Sequence, residues 1–392
     1  MMHSMKTRMI TGTAAALVAA TILTGCGGSK AGSGDTIKIG MNLELTGGQA
    51  AYGNDSQKGA QLAVEEINKN GGVLGKKLEL VPADNKSEPS EAAAAAQKLA
   101  DEGVVTVIGP LTTSAMLAAV PIMDGAKVPS VTPSATNPKV TVDEKTGKVL
   151  PYVFQTCFID PYQGEVMANY AYKELNARKA VILIDNSSDY AKGLSKYFED
   201  NFTKLGGEVL GSEAYLQKDT DFNATLTKIK ALNPDFVYVP GYYQEVGLIL
   251  KQARAMGMTM AFGGGDGWDS PTLSEIAGPD ALVNAYCSTL FTAEEGNKKS
   301  EAFIKAYQDK YSAVPSYFSA LTYETVQLLA KALGNANSTE PDKVRDALEK
   351  VSDFEGLAGS MKFNANHNAI RPAYILTYKD GKPVFAGKIS AE

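Results

Sequence analysis

Two short stretches gather hydroxyl groups at the ends of strand-like runs. In VTVIGPLTTSA (105–115) an apolar run stops at Gly109, and Leu111, Thr112, Thr113 and Ser114 follow. In KVPSVTPSATNP (127–138) a second run ends in Ser134 and Thr136. Hydroxyls beside the first N–H groups of a following helix suit an anion. At one such site alone, helix capping by Ser or Thr explains the same pattern. Two sites on neighbouring strands point instead to a shared ligand. Further on, FGGGDGWDS (262–270) sets Asp266 between Gly265 and Gly267, glycines that let backbone and ligand approach closely, with Trp268 two residues away. Tyr52 in LTGGQAAYGND, Tyr190 in DNSSDYAKG and Tyr242 in VYVPGYYQE each lie past a strand-like run. Singly, such aromatics are common packing residues; at strand ends, all of them can face one cleft.

The elements that must position these residues follow from hydrophobic periodicity. TIKIGMNLEL reads as a strand, and DSQKGAQLAVEEINKNGG as a helix with Ala60, Ala63, Val64 and Ile67 on one face and Gly71 at its end. KKLELVPAD, VVTVIGP and VPSVTPSA read as further strands, separated by helical patterns. Around NPKVTVDEKTGKVLPYVFQTCF the alternation suggests a hairpin, after which a second series of strand and helix patterns begins at PYQGEVMANYAYKELN. Two βαβ series of similar size predict an α/β protein of two doubly wound parallel-sheet domains. In open parallel sheets, ligands bind outside the carboxyl ends of the strands, where these hydroxyls, tyrosines and Asp266 fall.

The start of the chain reads as targeting rather than fold. Lys6 and Arg8 precede an apolar stretch that is too short and Ala-rich for a membrane span. It ends in Leu23-Thr24-Gly25-Cys26, which resembles the lipobox of bacterial lipoproteins. That resemblance implies cleavage after residue 25 and a diacylglyceryl group on Cys26, with GGSKAGSGD (27–35) as a flexible tether. Two acyl chains provide the double signal that stable anchoring needs. Loss of Lys6 and Arg8 takes the formal net charge from −6 to about −8, and an acidic chain without a basic stripe argues against nucleic acid.

Several chemistries can be set aside. Past the leader the chain has one histidine, His367, in the polar, turn-like FNANHNAIRP, which predicts a surface residue. With no His cluster, HExxH or paired Cys, a metal site is not expected, nor is any cofactor. Cys157 and Cys287 lie in apolar contexts typical of small buried hydrophobes. GGVLGKKL (71–78) is one residue short of a P-loop and follows a helix, so it reads as a turn. No nucleophile elbow occurs. An enzyme is therefore not expected; a secreted α/β enzyme acting on an amino-acid-like substrate, with Asp266 as base, is the alternative of that class.

These motifs, with GGQAAYGNDSQKGAQLAVEEIN, VIGPLTTSA, VTPSATNP, FIDPYQG, DFVYVPGYYQEVGLILKQAR and LSEIAG, resemble the substrate-binding proteins of branched-chain amino acid ABC importers, of the type I periplasmic binding protein fold. The resemblance covers essentially the whole chain after the leader. It implies three crossovers near Ile159, Leu290 and Phe363, dividing the chain into a leader (1–25), a tether (26–35), domain one (36–159 plus 290–362) and domain two (160–289 plus 363–392). It also implies that Thr113, helped by Thr136, holds a ligand carboxylate, while the Ser134 carbonyl, the Thr136 hydroxyl and Asp266 hold its ammonium. Tyr52, Leu111, Thr112, Tyr190, Tyr242 and Phe318 would form the apolar wall. A zwitterion taken out of water needs hydrogen bonds at both ends and a counter-charge.

The chain departs from the best-known members in carrying Asp266 where they carry Glu, and in placing Trp268 near the mouth. Cysteines that some relatives pair are replaced near Lys86 and Thr112. The expectation is thus a monomeric, lipid-anchored, extracytoplasmic binder of a neutral amino acid, leucine, isoleucine or valine first, that delivers it to ABC permease subunits. The alternatives are a ligand-binding sensor lipoprotein, or a preference for an aromatic or other neutral amino acid.

Overall fold

Alternating strands and helices begin at residue 36, and the computed structural model describes residues 36–352 and 354–389. The first series is β1 (Thr36–Leu43), α1 (Ala50–Lys69), β2 (Lys77–Asp84), α2 (Pro89–Asp101), β3 (Thr106–Ile108), α3 (Thr113–Gly125), β4 (Ser130–Thr132) and β5 (Val153–Gln155). Its strands pair in the order β2-β1-β3-β4-β5, all parallel. The second series is α4 (Asp160–Asn169), β6 (Lys179–Asp185), α5 (Asp189–Lys204), β7 (Glu208–Tyr215), α6 (Asn223–Leu232), β8 (Phe236–Tyr238), α7 (Tyr243–Ala255), β9 (Ala261–Gly264), α8 (Pro271–Ala277) and β10 (Ala285–Thr289). The chain then returns to the first sheet through α9 (Lys298–Tyr311), α10 (Tyr317–Ala336) and α11 (Pro341–Glu349). It finishes in β11 (Phe354–Gly356), β12 (Gly359–Phe363), β13 (Ala369–Ile370), β14 (Ala373–Lys379) and β15 (Lys382–Ile389).

The second sheet runs β7-β6-β8-β9-β10-β14-β15, with β14 and β15 antiparallel to their neighbours. Its parallel part repeats the strand order of the first sheet. Each order reverses direction once, between β1 and β3 in one sheet and between β6 and β8 in the other. At such a switch point the neighbouring βα connections diverge to opposite faces and leave a crevice at the strand carboxyl ends. Central strands are apolar on both faces, as a parallel sheet covered by helices requires: Ala180, Val181, Ile182 and Leu183 of β6 are all buried.

Helix α1 carries Tyr52 and lies against α10. The approach is close because position 59 is glycine; a Cβ there would stand 2.0 Å from the Ser319 carbonyl oxygen. GGVLGKKL is a tight turn as expected, with Val73 bridged to Lys76 and Leu74 and Gly75 at positive φ. Among the described residues no helix is long and apolar enough to cross a membrane. Cys26 and its leader lie outside the described residues.

The structure corrects two expectations. His367 is buried, not on the surface: its ring stacks on Phe154 at 4.2 Å and its Nδ1 lies 3.0 Å from the Val153 carbonyl. A polar sequence around it suggested solvent, but Asn364, Asn368 and Gln155 satisfy one another inside. The return crossing also falls later than Phe363. Gln155 N–H donates to the His367 carbonyl, and Arg371 still bonds Glu324 of α10, so the chain leaves the first sheet only after residue 371. Cys157 and Cys287 are both buried and free.

Candidate functional site

The strand carboxyl ends of the two sheets face one another across a narrow, closed-down cleft. From the first sheet come Tyr52, Leu111, Thr112, Thr113 and Ser134, with Phe318 from α10; from the second come Tyr190, Tyr242, Asp266 and Gly267. The cleft is closed over by contacts between the two sides. Ser114 Oγ donates to Asp189 at 3.0 Å, Tyr52 Oη donates to the Gly267 carbonyl, and Lys218 pairs with Glu88 at 2.8 Å.

At the β3–α3 turn, Thr112 occupies the N-cap position, yet no side chain caps the helix and its first turn holds no acid. Simple capping therefore does not explain the hydroxyls. The Thr112 hydroxyl turns away to Glu44 at 2.9 Å, while the Thr113 hydroxyl, 1 % exposed as a residue, has no hydrogen-bond partner. An uncapped helix start beside an unpartnered buried hydroxyl offers donors of the kind a carboxylate accepts. Ser134 spends its hydroxyl on the Leu111 carbonyl at 2.8 Å, which fixes the two loops together.

Glu44 was not singled out from the sequence, although a charge among the buried residues of NLELTGG was a usable signal. Its carboxylate accepts the N–H groups of Leu111 and Thr112 as well as the Thr112 hydroxyl, and so sets the loop that presents Thr113. Burial raises its pKa, and the Thr112 bonds oppose the rise. Glu44→Gln would turn an amide NH₂ toward donors. It is expected to weaken ligand binding about tenfold or more by calorimetry and to lower the thermal midpoint, since a bond to a buried charge is worth ~1.5–3 kcal/mol.

On the opposite wall, Asp266 is 2 % exposed and accepts from Gln163 Nε2 at 3.1 Å and Tyr190 Oη at 2.9 Å. Gln163 Oε1 accepts the Asp266 N–H in return, a holding role that sequence inspection passed over. Burial raises the Asp266 pKa to about 6, against the lowering effect of Tyr190, Tyr317 and Gln163. Burial also raises two neighbouring acids, Asp269 to about 7 and Asp160 to about 8, with the Asp266 charge adding to both shifts. No lysine or arginine lines the cleft. This wall therefore favours a cation, and the wall at Thr113 favours an anion. The glycines beside Asp266 serve the protein as much as a ligand: a Cβ at 265 would lie 2.1 Å from Gln163 Oε1 and 2.3 Å from Tyr190 Oη.

Two expected site residues do not line the cleft. Thr136 is buried behind it, its hydroxyl beside the Asp160 carboxylate without good hydrogen-bond geometry to any group. Trp268 is fully buried with its indole N–H donating to the Val239 carbonyl at 2.9 Å, so it neither narrows nor extends the pocket. The segment Asp266–Trp268 is a 3-10 turn, on which residues two apart point about 120° away from one another. Asp266 facing the cleft thus sends Trp268 into the core under Gly264. Two larger grooves exist, one at Val149, Phe363 and His367 and one at Tyr162, Tyr170 and Lys388. Neither is lined by a buried polar side chain without a partner.

Residues 36–383 match the family described as periplasmic binding protein. The chain belongs to that family. It is 33% identical over 333 residues, 84% of this chain and 86% of the relative, to the leucine-, isoleucine-, valine-, threonine- and alanine-binding protein of Pseudomonas aeruginosa. Among solved structures it is similar to the branched-chain amino acid transporter substrate binding protein LivJ of Streptococcus pneumoniae in complex with isoleucine, with TM-score 0.84 and 42% identity over 90% of this chain and 99% of that one. The leucine binding protein LivK of Thermotoga maritima matches with TM-score 0.85 and 37% identity over the same shares. The α/β architecture with parallel sheets is that of type I periplasmic binding proteins.

Proposed function

We propose that this protein is an extracytoplasmic solute-binding protein of an ABC importer that captures a neutral α-amino acid, leucine, isoleucine or valine first. The observation that carries the reading is the pairing of an unpartnered Thr113 hydroxyl at an uncapped helix start with a buried Asp266, on opposite sides of a small aromatic cleft. One end takes a carboxylate and the other an ammonium. Tyr52, Leu111, Tyr190, Tyr242 and Phe318 leave an apolar space between. Relatives named for leucine, isoleucine and valine support the same choice.

Residues 36–159 with 290–371, and 160–289 with 372–392, are the moving lobes. Ligand meets the hydroxyl wall first, and the Asp266 wall closes on it because only the closed form offers both sets of contacts. Cys26 carries the lipid anchor in this reading, and the closed, loaded monomer docks on permease subunits. The test is calorimetric titration of lipid-free protein with leucine, isoleucine, valine, phenylalanine and leucinamide, with scattering curves taken at each end point. Saturable binding of the branched amino acids, none of the amide, and a more compact loaded form are expected. Absence of binding by every amino acid would overturn the ligand class, and superimposable scattering curves would overturn closure.

A further inference from the structure

Helix α1 starts without a cap of its own. Its N-cap residue, Gln49, makes no side-chain cap bond and its first turn contains no acid. The Ala51 N–H, one of the orphan donors of that first turn, instead donates to Tyr243 Oη at 3.3 Å. Tyr243 begins α7, on the opposite side of the cleft. The exchange is reciprocal: Tyr52 of α1 reaches across to the Gly267 carbonyl, and the Tyr243 N–H points back at Tyr52 Oη at 3.4 Å. Each side thus sends one tyrosine into the other.

Tyr243 is buried, but it is not a lining residue of the cleft. It stands behind Tyr52, with the two rings edge to face at 5.1 Å. The Tyr52 ring is stacked on Phe318 at 3.9 Å on one side and set edge-on to Tyr242 at 5.9 Å on another. A ring held on three sides and tied at its hydroxyl cannot swing out to widen the pocket. Removing the support behind it leaves room for it to retreat. Separating the two sides withdraws Tyr243 from Ala51 and leaves the first turn of α1 uncapped by protein.

Resting on the amino-acid reading above, we infer that Tyr243 is a specificity-determining residue that never touches the ligand. Its hydroxyl caps α1 across the closed cleft and so slows release. Its ring backs Tyr52 and so sets the upper size of the ligand side chain at that of leucine, excluding phenylalanine. These two roles sit on different atoms of one side chain and can be separated.

Tyr243→Phe removes the cap and keeps the ring; Tyr243→Leu removes both while remaining apolar. Stopped-flow and calorimetry with leucine and phenylalanine read the result. For Tyr243→Phe, leucine should dissociate about three- to tenfold faster, associate within twofold of wild type, and keep its preference over phenylalanine, as loss of one hydrogen bond in the closed state alone requires. For Tyr243→Leu, the preference for leucine should fall at least tenfold. A general loss of structure would slow association and speed dissociation together and leave the preference unchanged. An unaltered dissociation rate in Tyr243→Phe overturns the cap, and an unaltered preference in Tyr243→Leu overturns the size limit. Wild-type protein that binds phenylalanine as well as leucine also overturns the size limit. Wild-type protein that binds no amino acid overturns the underlying function instead.

Discussion

Asp266→Ala is expected to lower affinity for leucine by about 100- to 1,000-fold while leaving the ligand-free protein folded. Removing one partner of a buried ion pair typically costs ~3–5 kcal/mol, and each ~1.4 kcal/mol is tenfold in affinity. In the proposed complex the variant would also leave a buried ammonium without a counter-charge. The sign for the empty protein is the opposite. Burial raises the Asp266 pKa to about 6, so in the folded state its charge is a cost that is absent when it is protonated. Stability from this group is therefore fully present at pH values below the unfolded carboxylate pKa, and falls as pH rises toward 6. Asp266→Asn should accordingly give a ligand-free thermal midpoint at pH 7 no lower than wild type, with binding lost.

The same carboxylate gives the pH profile of binding. In the proposed complex an ammonium pairs with ionised Asp266, and below about pH 6 a proton must first be displaced. Affinity for leucine should fall about tenfold per unit below that value, as displacement of one proton requires. Calorimetry between pH 4.5 and 8 in the wild type and in Asp266→Asn tests this. A slope that persists in the Asn variant would assign the titration elsewhere.

The largest expected effect on stability lies away from the cleft. Arg371 and Glu324 form an ion pair with side chains 1% and 2% exposed, joined at 2.7 and 3.3 Å. Arg371 also bonds the Thr156 carbonyl at 3.0 Å, and Glu324 accepts the Leu357 N–H at 2.7 Å. Two of the segments that pass between the sheets are therefore fastened at one point, residues near 156 and near 371. Arg371→Met strands a buried carboxylate and should cost ~3–5 kcal/mol in denaturant unfolding. Arg371→Met with Glu324→Leu removes both charges and should recover most of that loss, because a well-packed apolar pair often replaces a buried ion pair at little cost. Failure of the second change to restore stability would show that the loss comes from packing rather than from an uncompensated charge.

The alternating strands and helices, the parallel parts of the two sheets and the turn at residues 71–78 were legible in the sequence, because apolar periodicity and Gly placement are local signals. So was most of the site. Residues that follow a parallel strand stand at its carboxyl end whatever else the chain does, which places Thr113, Ser134, Tyr190, Tyr242 and Asp266 together. Local signals fail where direction matters. The two-residue spacing from Asp266 to Trp268 looked like proximity, but the 3-10 turn points them apart. Thr112 lines the cleft, but its hydroxyl belongs to Glu44 rather than to an apolar wall.

By itself, then, the sequence determined the α/β class, the cleft at the strand ends and the chemical types offered there: hydroxyls, aromatics and one acid. Tertiary structure alone decided which hydroxyl stays unpartnered, that Gln163 and Tyr190 hold Asp266, and that His367 and Arg371 are interior. It alone brought Tyr243 to the start of α1. The bonds of Gln163 and Tyr190 to Asp266, of His367 to Val153 and of Ala51 to Tyr243 join residues 76 to 214 positions apart. A hydrogen bond between such distant residues is fixed by the packing of whole helices on sheets, and no pattern within a few turns of chain encodes it.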